Sequence, residues 1–202
     1  MTVYLIRHGA TQYNLEKRYL GRTDLPLCAE GRAELHRADF SVPVVYVSPM
    51  RRAIETAAIL FPEAERVPVE GFREMEFGAF EGRTWKEMEH DADYRAWVDS
   101  GCTGRCPGGE DLETFTDRTC AAFESVLEAH FASAGDVPLV VVAHGGTQMA
   151  LLSRFAMPRE SYFHWIGKNG GGFRCETNET RWKQEKLLFY PEPVVYTNTD
   201  TI

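Results

Sequence analysis

The sequence predicts an α/β fold, a three-layer α/β/α sandwich around a mainly parallel central sheet. Three observations carry that expectation. Short β-branched and apolar runs at Thr2–Arg7, Val42–Val47 and Val137–Ala143 read as buried strands. Helical patterns follow them, so the order strand then helix recurs along the chain. Two of the runs end abruptly in a histidine and a glycine, at Arg7-His8-Gly9 and at His144-Gly145-Gly146, which puts polar chemistry where α/β sheets bind ligands, beyond the carboxyl ends of their strands.

Thr2–Arg7 is too short for a helix to be worth invoking. A short helix is expected around Tyr13–Lys17, then a polar loop through Gly21 and Asp24-Leu25-Pro26-Leu27, then a helix over Ala29–Phe40 that packs through Ala33, Leu35 and Ala38. After the second strand, Ser48-Pro49 reads as a helix start, with serine as cap and proline at the first helical position. Met50, Ala53, Ile54, Ala57, Ala58 and Phe61 recur at helical spacing on one face, and Pro62 ends the helix.

Arg66–Val69 reads as a brief strand and Phe72–Gly82 as an irregular loop. Thr84–His90 and Ala92–Val98 are expected as two short helices. They precede the aperiodic stretch Gly101–Gly109, a candidate for mobility. Glu110–Phe131 is a longer helix, with Leu112, Phe115, Phe123, Val126 and Leu127 inward and Glu110, Asp111 and Glu113 complementing its dipole. Val137–Ala143 is the most strongly buried strand pattern and leads into a helix over Gly146–Phe155. The glycine run at 167–172 reads as a turn or bend, and Gly170–Thr177 with Trp182–Phe189 as a terminal hairpin. The last ten residues carry no periodic signal. With no internal repeat or low-complexity linker, residues 1–202 read as a single domain.

Twenty-two Lys and Arg against 30 Asp and Glu give a net charge of -8, which argues against nucleic acid or an anionic membrane as partner. No apolar run reaches the length of a membrane span and the N-terminus lacks a signal-peptide pattern, so a cytoplasmic protein is expected. Its five cysteines, at 28, 102, 106, 120 and 175, are odd in number and show no Cys-x-x-Cys pair, the pattern of reduced thiols. Cys102 and Cys106 leave a metal clip or a redox pair as the minor alternative. Nothing in the sequence speaks to oligomeric state.

Arg51 and Arg52 fall in the first turn of a helix, where the dipole is already positive and an added cation is unfavourable by ~0.3–1 kcal/mol. A phosphate would offset that, accepting from guanidinium forks and free N–H groups. The alternative is two solvated surface arginines. His8 alone also reads as a structural hydrogen-bonding residue. Arg7 beside it and the second strand-terminal histidine favour a phosphoryl site, because a neutral imidazole attacks phosphorus while surrounding donors stabilise the oxygens. There is no His-Glu-x-x-His, no Gly-x-Ser-x-Gly and no Gly-x4-Gly-Lys-Ser/Thr, which weakens metalloprotease, esterase and nucleotide triphosphatase readings.

In these residues the chain resembles the histidine phosphatase superfamily, also called the phosphoglycerate-mutase-like family. The resemblance runs through five blocks in order: Arg7-His8-Gly9-x-Thr11-x-x-Asn14, Gly21-x-x-Asp24-x-Pro26-Leu27-x-x-x-Gly31, Ser48-Pro49-Met50-x-Arg52-Ala53-x-x-Thr56-Ala57, Phe72-Arg73-Glu74-x-x-Phe77-Gly78-x-x-Glu81-Gly82, and His144-Gly145-Gly146. It implies His8 as nucleophile, Arg7, Arg52 and His144 as neutralisers of phosphoryl charge, and Glu74 as the acid that protonates the leaving alcohol and then activates water. It further implies contacts to substrate from Asn14, Leu20, Gly21 and the Gly145 N–H, a small phosphorylated metabolite as partner, and no metal or cofactor. The chain departs from the family's usual residues at Leu20 (glutamine), Cys28 (threonine) and Phe80 (tryptophan).

Its shortness and its Glu74 block are most similar to the small phosphatase branch, which acts on compounds such as α-ribazole 5'-phosphate. The alternatives are a cofactor-dependent phosphoglycerate mutase and, in a different class, a non-catalytic phospholigand-binding module. A lid-like insertion is expected at about 83–109, with Trp85, Tyr94, Trp97 and Arg105 either selecting substrate or packing onto the body.

Overall fold

Five consecutive buried residues, Leu139–Ala143, form strand β4 at the middle of the sheet. A strand covered on both faces needs an unbroken apolar run rather than alternation. β4 lies between β1 (Thr2–Arg7) and β2 (Val44–Val47) and is parallel to both. The computed structural model describes residues 1–198, so the last four of the ten C-terminal residues read as aperiodic lie outside it.

The seven strands are ordered β3-β2-β4-β1-β6-β7-β5. β3 is Glu65–Pro68, β5 Ala156–Met157, β6 Gly171–Glu176 and β7 Leu188–Val195. Only β6 opposes the rest, being antiparallel to β1 and β7, so the mixed sheet is mainly parallel as expected. β6 can approach β1 because position 172 is glycine: a Cβ there would lie 1.9 Å from the Leu5 carbonyl oxygen.

Helices cover both faces. α6 (Leu112–Ala134), α7 (Gly145–Phe155) and α8 (Glu179–Glu185) pack on the side toward which Val3, Leu5 and Val141 point. α3 (Arg51–Leu60) covers the other, with Ala53, Ala57 and Leu60 against Val45, Val47, Val140 and Val142. Alternation along β1 and β4 divides their side chains between these two cores. A third cluster joins Met75, Phe80, Met88, Tyr94, Trp97 and Phe115, and it contains α4 (Trp85–Met88) and part of α5 (Ala92–Asp99).

Several expectations need correction. The helix read over Ala29–Phe40 is α2, Ala29–Glu34 only: Leu35 is extended, bridged to Thr197 and buried with Ile6. The first helix, α1, is Gln12–Leu15, set by a capping box between Thr11 and Asn14. Ser48-Pro49 does not start a helix. α3 begins at Arg51 after Met50, and its first N–H donates instead to Asp24 Oδ1 at 2.8 Å. The buried face of α3 is Arg52, Ala53, Thr56, Ala57 and Leu60, which leaves Ile54 exposed. Trp182 belongs to a helix capped by Asn178 rather than to a hairpin strand, and Gly171 and Gly172 of the presumed bend open β6. Gly101–Gly109 is tied down: Cys102 N–H donates to Trp97 O (3.1 Å), Cys106 N–H to Glu110 O (3.0 Å) and Leu112 N–H to Thr103 O (3.2 Å).

Trp182 is fully buried, with its ring edge-on to Phe155 and Phe123 at 5.1 and 5.8 Å. Trp182→Ala is expected to lower stability by ~3–5 kcal/mol through the cavity it opens, which denaturant unfolding would register as a lower midpoint.

Candidate active site

The ends of β1, β2 and β4 are laced together: His8 N–H donates to Ala143 O (2.9 Å) and Ser48 N–H to Val142 O (3.0 Å). This brings His8 and His144 together, with ring centroids 5.2 Å apart. Both are buried. His8 Nδ1 lies 2.7 Å from Gly9 O. A carbonyl only accepts, so Nδ1 carries the proton and the neutral ring keeps its lone pair on Nε2. Burial, then Arg52 and Arg7, hold the His8 pKa well below the ordinary 6.5. Burial, Arg52 and His8 do the same for His144. Two neutral imidazoles follow. His144 Nε2 meets the Ser48 hydroxyl at 2.7 Å, which is the use the fold finds for that serine.

Arg52 is wholly buried whereas the Arg51 side chain is 60% exposed, so the helix start presents one arginine inward and one to solvent. Arg52 donates to Thr23 O (2.9 Å) and Gly21 O (2.8 Å), and burial brings its pKa down to about 10, which leaves it charged at neutral pH. Arg7 donates to Gly167 O at 2.9 Å. Arg7 Nε, Arg52 Nε and His144 Nδ1 are buried without a hydrogen-bond partner. The two Nε–H groups are donors, and His144 Nδ1–H is a third when the Ser48 hydroxyl donates to Nε2. Buried donors left unpaired are unfavourable by ~1–3 kcal/mol each, and an anion reaching them would relieve that.

Glu74 is buried beside them. Its Oε1 accepts from Met75 N–H (2.9 Å) and its Oε2 from Gly146 N–H (3.2 Å), yet desolvation outweighs these bonds and Arg52, and raises its pKa above 4.5. Gly146 is required here, since a Cβ would sit 2.2 Å from Glu74 Oε1. Glu81 instead organises the 22–23 loop, accepting from Arg22 N–H at 2.7 Å and the Thr23 hydroxyl at 2.5 Å.

Above this floor is a cavity of about 350 Å³. Arg7, His8, Glu74, Asn14, Leu20 and Gly145 line it; Arg52 and His144 lie beneath its surface. Gly21 does not line it and serves Arg52 through its carbonyl. Of the expected lid residues Trp97 reaches the cavity, whereas Trp85 is half-exposed elsewhere, Tyr94 is buried behind Tyr19 with their hydroxyls 2.9 Å apart, and Arg105 pairs with Asp111 at 2.6 Å. Of the departures from the family pattern only Leu20 lines the cavity. Cys28 caps α2 through its sulfur, accepting from Gly31 N–H at 3.2 Å, and Phe80 is core. Among the described residues no group of three or more His, Cys, Asp or Glu is placed to hold a metal ion.

Arg118 escaped the sequence reading. It donates to the carbonyls of Gly71 (3.0 Å), Arg73 (2.8 Å) and Glu74 (3.1 Å) while chelating Glu110 at 2.7 and 2.8 Å, and Glu110 in turn accepts from Glu76 N–H at 2.9 Å. The segment bearing Glu74 is thus clamped on both sides. The available signal was a cation three residues after Phe115, on the inward side of α6. Burial alone would raise the Glu110 pKa, but the bonds from Arg118 and Glu76 hold it below 4.5. Its contribution to stability is therefore present above that value and lost as pH falls through the folded-state pKa. Arg118→Ala is expected to lower stability by on the order of 2–3 kcal/mol and to weaken that acid-side loss, both readable from melting curves across pH.

The arrangement defines a class first: an α/β protein that gathers two neutral histidines, two buried guanidinium groups and a desolvated carboxyl at strand ends. The chain belongs to the histidine phosphatase superfamily (branch 1), whose family model matches residues 3–188. It is 32% identical over 159 residues to "Putative phosphoserine phosphatase 2" of Hydrogenobacter thermophilus, covering 74% of this chain and 76% of the relative. It is likewise 32% identical over 192 residues to "Probable phosphoglycerate mutase GpmB" of Salmonella choleraesuis, covering 90% and 87%. The α-ribazole phosphatase of Shigella flexneri superposes with a TM-score of 0.75 at 25% identity, over 98% of this chain and 96% of that one.

Proposed function

We propose that the protein is a phosphomonoesterase that hydrolyses a small phosphorylated metabolite through a phosphohistidine. The observation that carries this reading is the state of His8, a neutral ring with Nδ1 committed to Gly9 O, set beside two buried guanidinium groups with unpaired Nε atoms. The Nε2 lone pair forms the P–N bond as the ester P–O bond breaks, and the Glu74 proton passes to the leaving oxygen. Arg7, Arg52 and His144 hold the phosphoryl oxygens, with Asn14 and the Gly145 N–H at the cavity edge. Glu74, now ionised, takes a proton from water as that water attacks phosphorus, the P–N bond breaks and phosphate leaves. These steps use no metal or cofactor.

Residues 1–202 act as one unit in this reading, and the segment at about 83–109 is the lid, with Trp97 and Cys102 at the cavity. No helix among the described residues is long and apolar enough to cross a membrane, and we place the enzyme in the cytoplasm. α-Ribazole 5'-phosphate is a candidate substrate, by the likeness to the Shigella flexneri enzyme.

The test is release of phosphate from a panel of phosphomonoesters by the purified protein. Turnover of at least one is expected, and an inert protein across the panel would favour a phospholigand-binding module. The mutase reading draws on the relative that covers 90% of the chain. Incubation with 3-phosphoglycerate and 2,3-bisphosphoglycerate separates the two: whatever turnover occurs is expected as free phosphate, and accumulation of 2-phosphoglycerate would overturn the hydrolase.

A further inference from the structure

The phosphate floor is densely polar; the wall above it is not. Tyr19, Leu20, Phe77 and Trp97 line one part of the cavity, and Leu112, Met149, Phe163 and Ile166 another. Among the polar side chains that line the cavity outside the floor, Arg18, the Asn14 amide oxygen and the Tyr19 hydroxyl are committed, and Tyr162 adds an uncharged hydroxyl. Arg18 donates to Glu16 (2.7 Å), Glu87 (2.9 Å) and Gly82 O (2.6 Å). Asn14 Oδ1 accepts from Thr11 N–H (3.0 Å) and Asn169 (3.4 Å), and the Tyr19 hydroxyl is paired with that of Tyr94. Phe163 and Ile166 are each 55% exposed, so apolar surface stands open beside the cavity until something covers it.

We infer that the cavity selects phosphomonoesters of uncharged alcohols with an apolar or aromatic body and rejects those whose alcohol carries a carboxylate group. This rests on the phosphatase reading above. A carboxylate entering the wall loses water and finds, among the lining side chains outside the floor, only the Arg18 cation, whose charge Glu16 and Glu87 already offset, an environment in which a desolvated charge is unfavourable. An apolar body removes its own surface and that of Phe163 and Ile166 from water. The preference therefore runs against phosphoserine and phosphoglycerate, the compounds in the names of two relatives.

The experiment compares kcat/KM for 2-phenylethyl phosphate, O-phosphoserine and 3-phosphoglycerate, all with unactivated alkyl leaving groups. The first is expected to lead by about 10–100-fold. Phenylpropylphosphonate and 4-phosphonobutyrate, which cannot be hydrolysed, report the same preference as affinities by calorimetry. Ile166→Arg and Phe163→Ser alter exposed positions that the core does not use. The first is expected to tighten the carboxylate ligand and the second to loosen the apolar one. Equal or tighter binding of 4-phosphonobutyrate by the wild type would overturn the inference. Tighter phenylpropylphosphonate with no ester turned over would uphold the wall's selectivity and overturn the phosphatase reading instead.

Discussion

His8→Ala is expected to lower kcat by on the order of 10⁴–10⁶-fold while leaving the protein folded, because it removes the only atom proposed to bond to phosphorus. The substitution deletes one local hydrogen bond, Nδ1–H to Gly9 O, and no core contact of the two sheet faces. Far-ultraviolet circular dichroism should therefore match the wild type. The neighbouring His144 is just as buried and just as neutral, so burial alone does not choose between them. What distinguishes His8 is its place on the lining of the cavity, whereas His144 lies beneath the surface with Nε2 held by Ser48. Rapid denaturation during turnover should trap an acid-labile phosphoryl group that peptide mapping assigns to His8. An adduct on His144, or substantial turnover by His8→Ala, would sink the assignment.

The parts of the fold legible in the sequence are those where one local signal dominates. β4 is an unbroken apolar run and β1 has an apolar centre at residues 3–6, because both faces are covered, and no competing pattern disguised them. Misreadings arose where a distant residue supplied what a local one was expected to supply. Ser48 looked like a cap, but its hydroxyl meets His144, 96 positions away, and α3 is capped from Asp24. Leu35 continued a helical spacing, yet its burial is against β1 and the C-terminal chain. Trp182 reads as part of the second arm of a terminal hairpin, whereas Asn178 starts a helix and tertiary packing of Trp182 on Phe155 stabilises it.

The site divides in the same way. Arg7, His8 and His144 stand in short contiguous blocks at strand ends and are legible from the residues themselves, whereas Glu74, in an irregular loop with other acids, is singled out only by the family resemblance. The cavity wall draws single residues from widely separated segments, among them Leu20, Trp97, Leu112, Met149 and Ile166, none of which carries a motif. Arg118 was invisible for a related reason. Its ligands are mostly backbone carbonyls, which every residue type possesses, so the sequence at 71–74 gives no sign of the cation that holds it.

Glu74→Gln should separate the two half-reactions. On an alkyl phosphate the variant has no acid for the leaving oxygen, and kcat is expected to fall by about 10²–10⁴-fold. On p-nitrophenyl phosphate the leaving group departs without a proton, so the first step survives. The second step still needs a base, and a burst of nitrophenol followed by a slow phase is expected, with phosphohistidine accumulating. The pH profile gives an independent reading. In the wild type kcat/KM should fall as pH drops through the His8 pKa, which lies well below 6.5, because protonation removes the nucleophile's lone pair. It should also fall as pH rises through the Glu74 pKa, which lies above 4.5, because ionisation removes the acid. The two groups share a charged pocket, so these limbs are macroscopic values of the coupled site. The upper limb should appear on an alkyl phosphate and be absent on the nitrophenyl ester, on which the lower limb should remain in place after Glu74→Gln. A modest loss of stability of ~1 kcal/mol should accompany it, since an amide oxygen accepts from only one of Met75 and Gly146 where the carboxylate takes both. Persistence of the upper limb on the alkyl phosphate in the variant would mean that a group other than Glu74 supplies the proton.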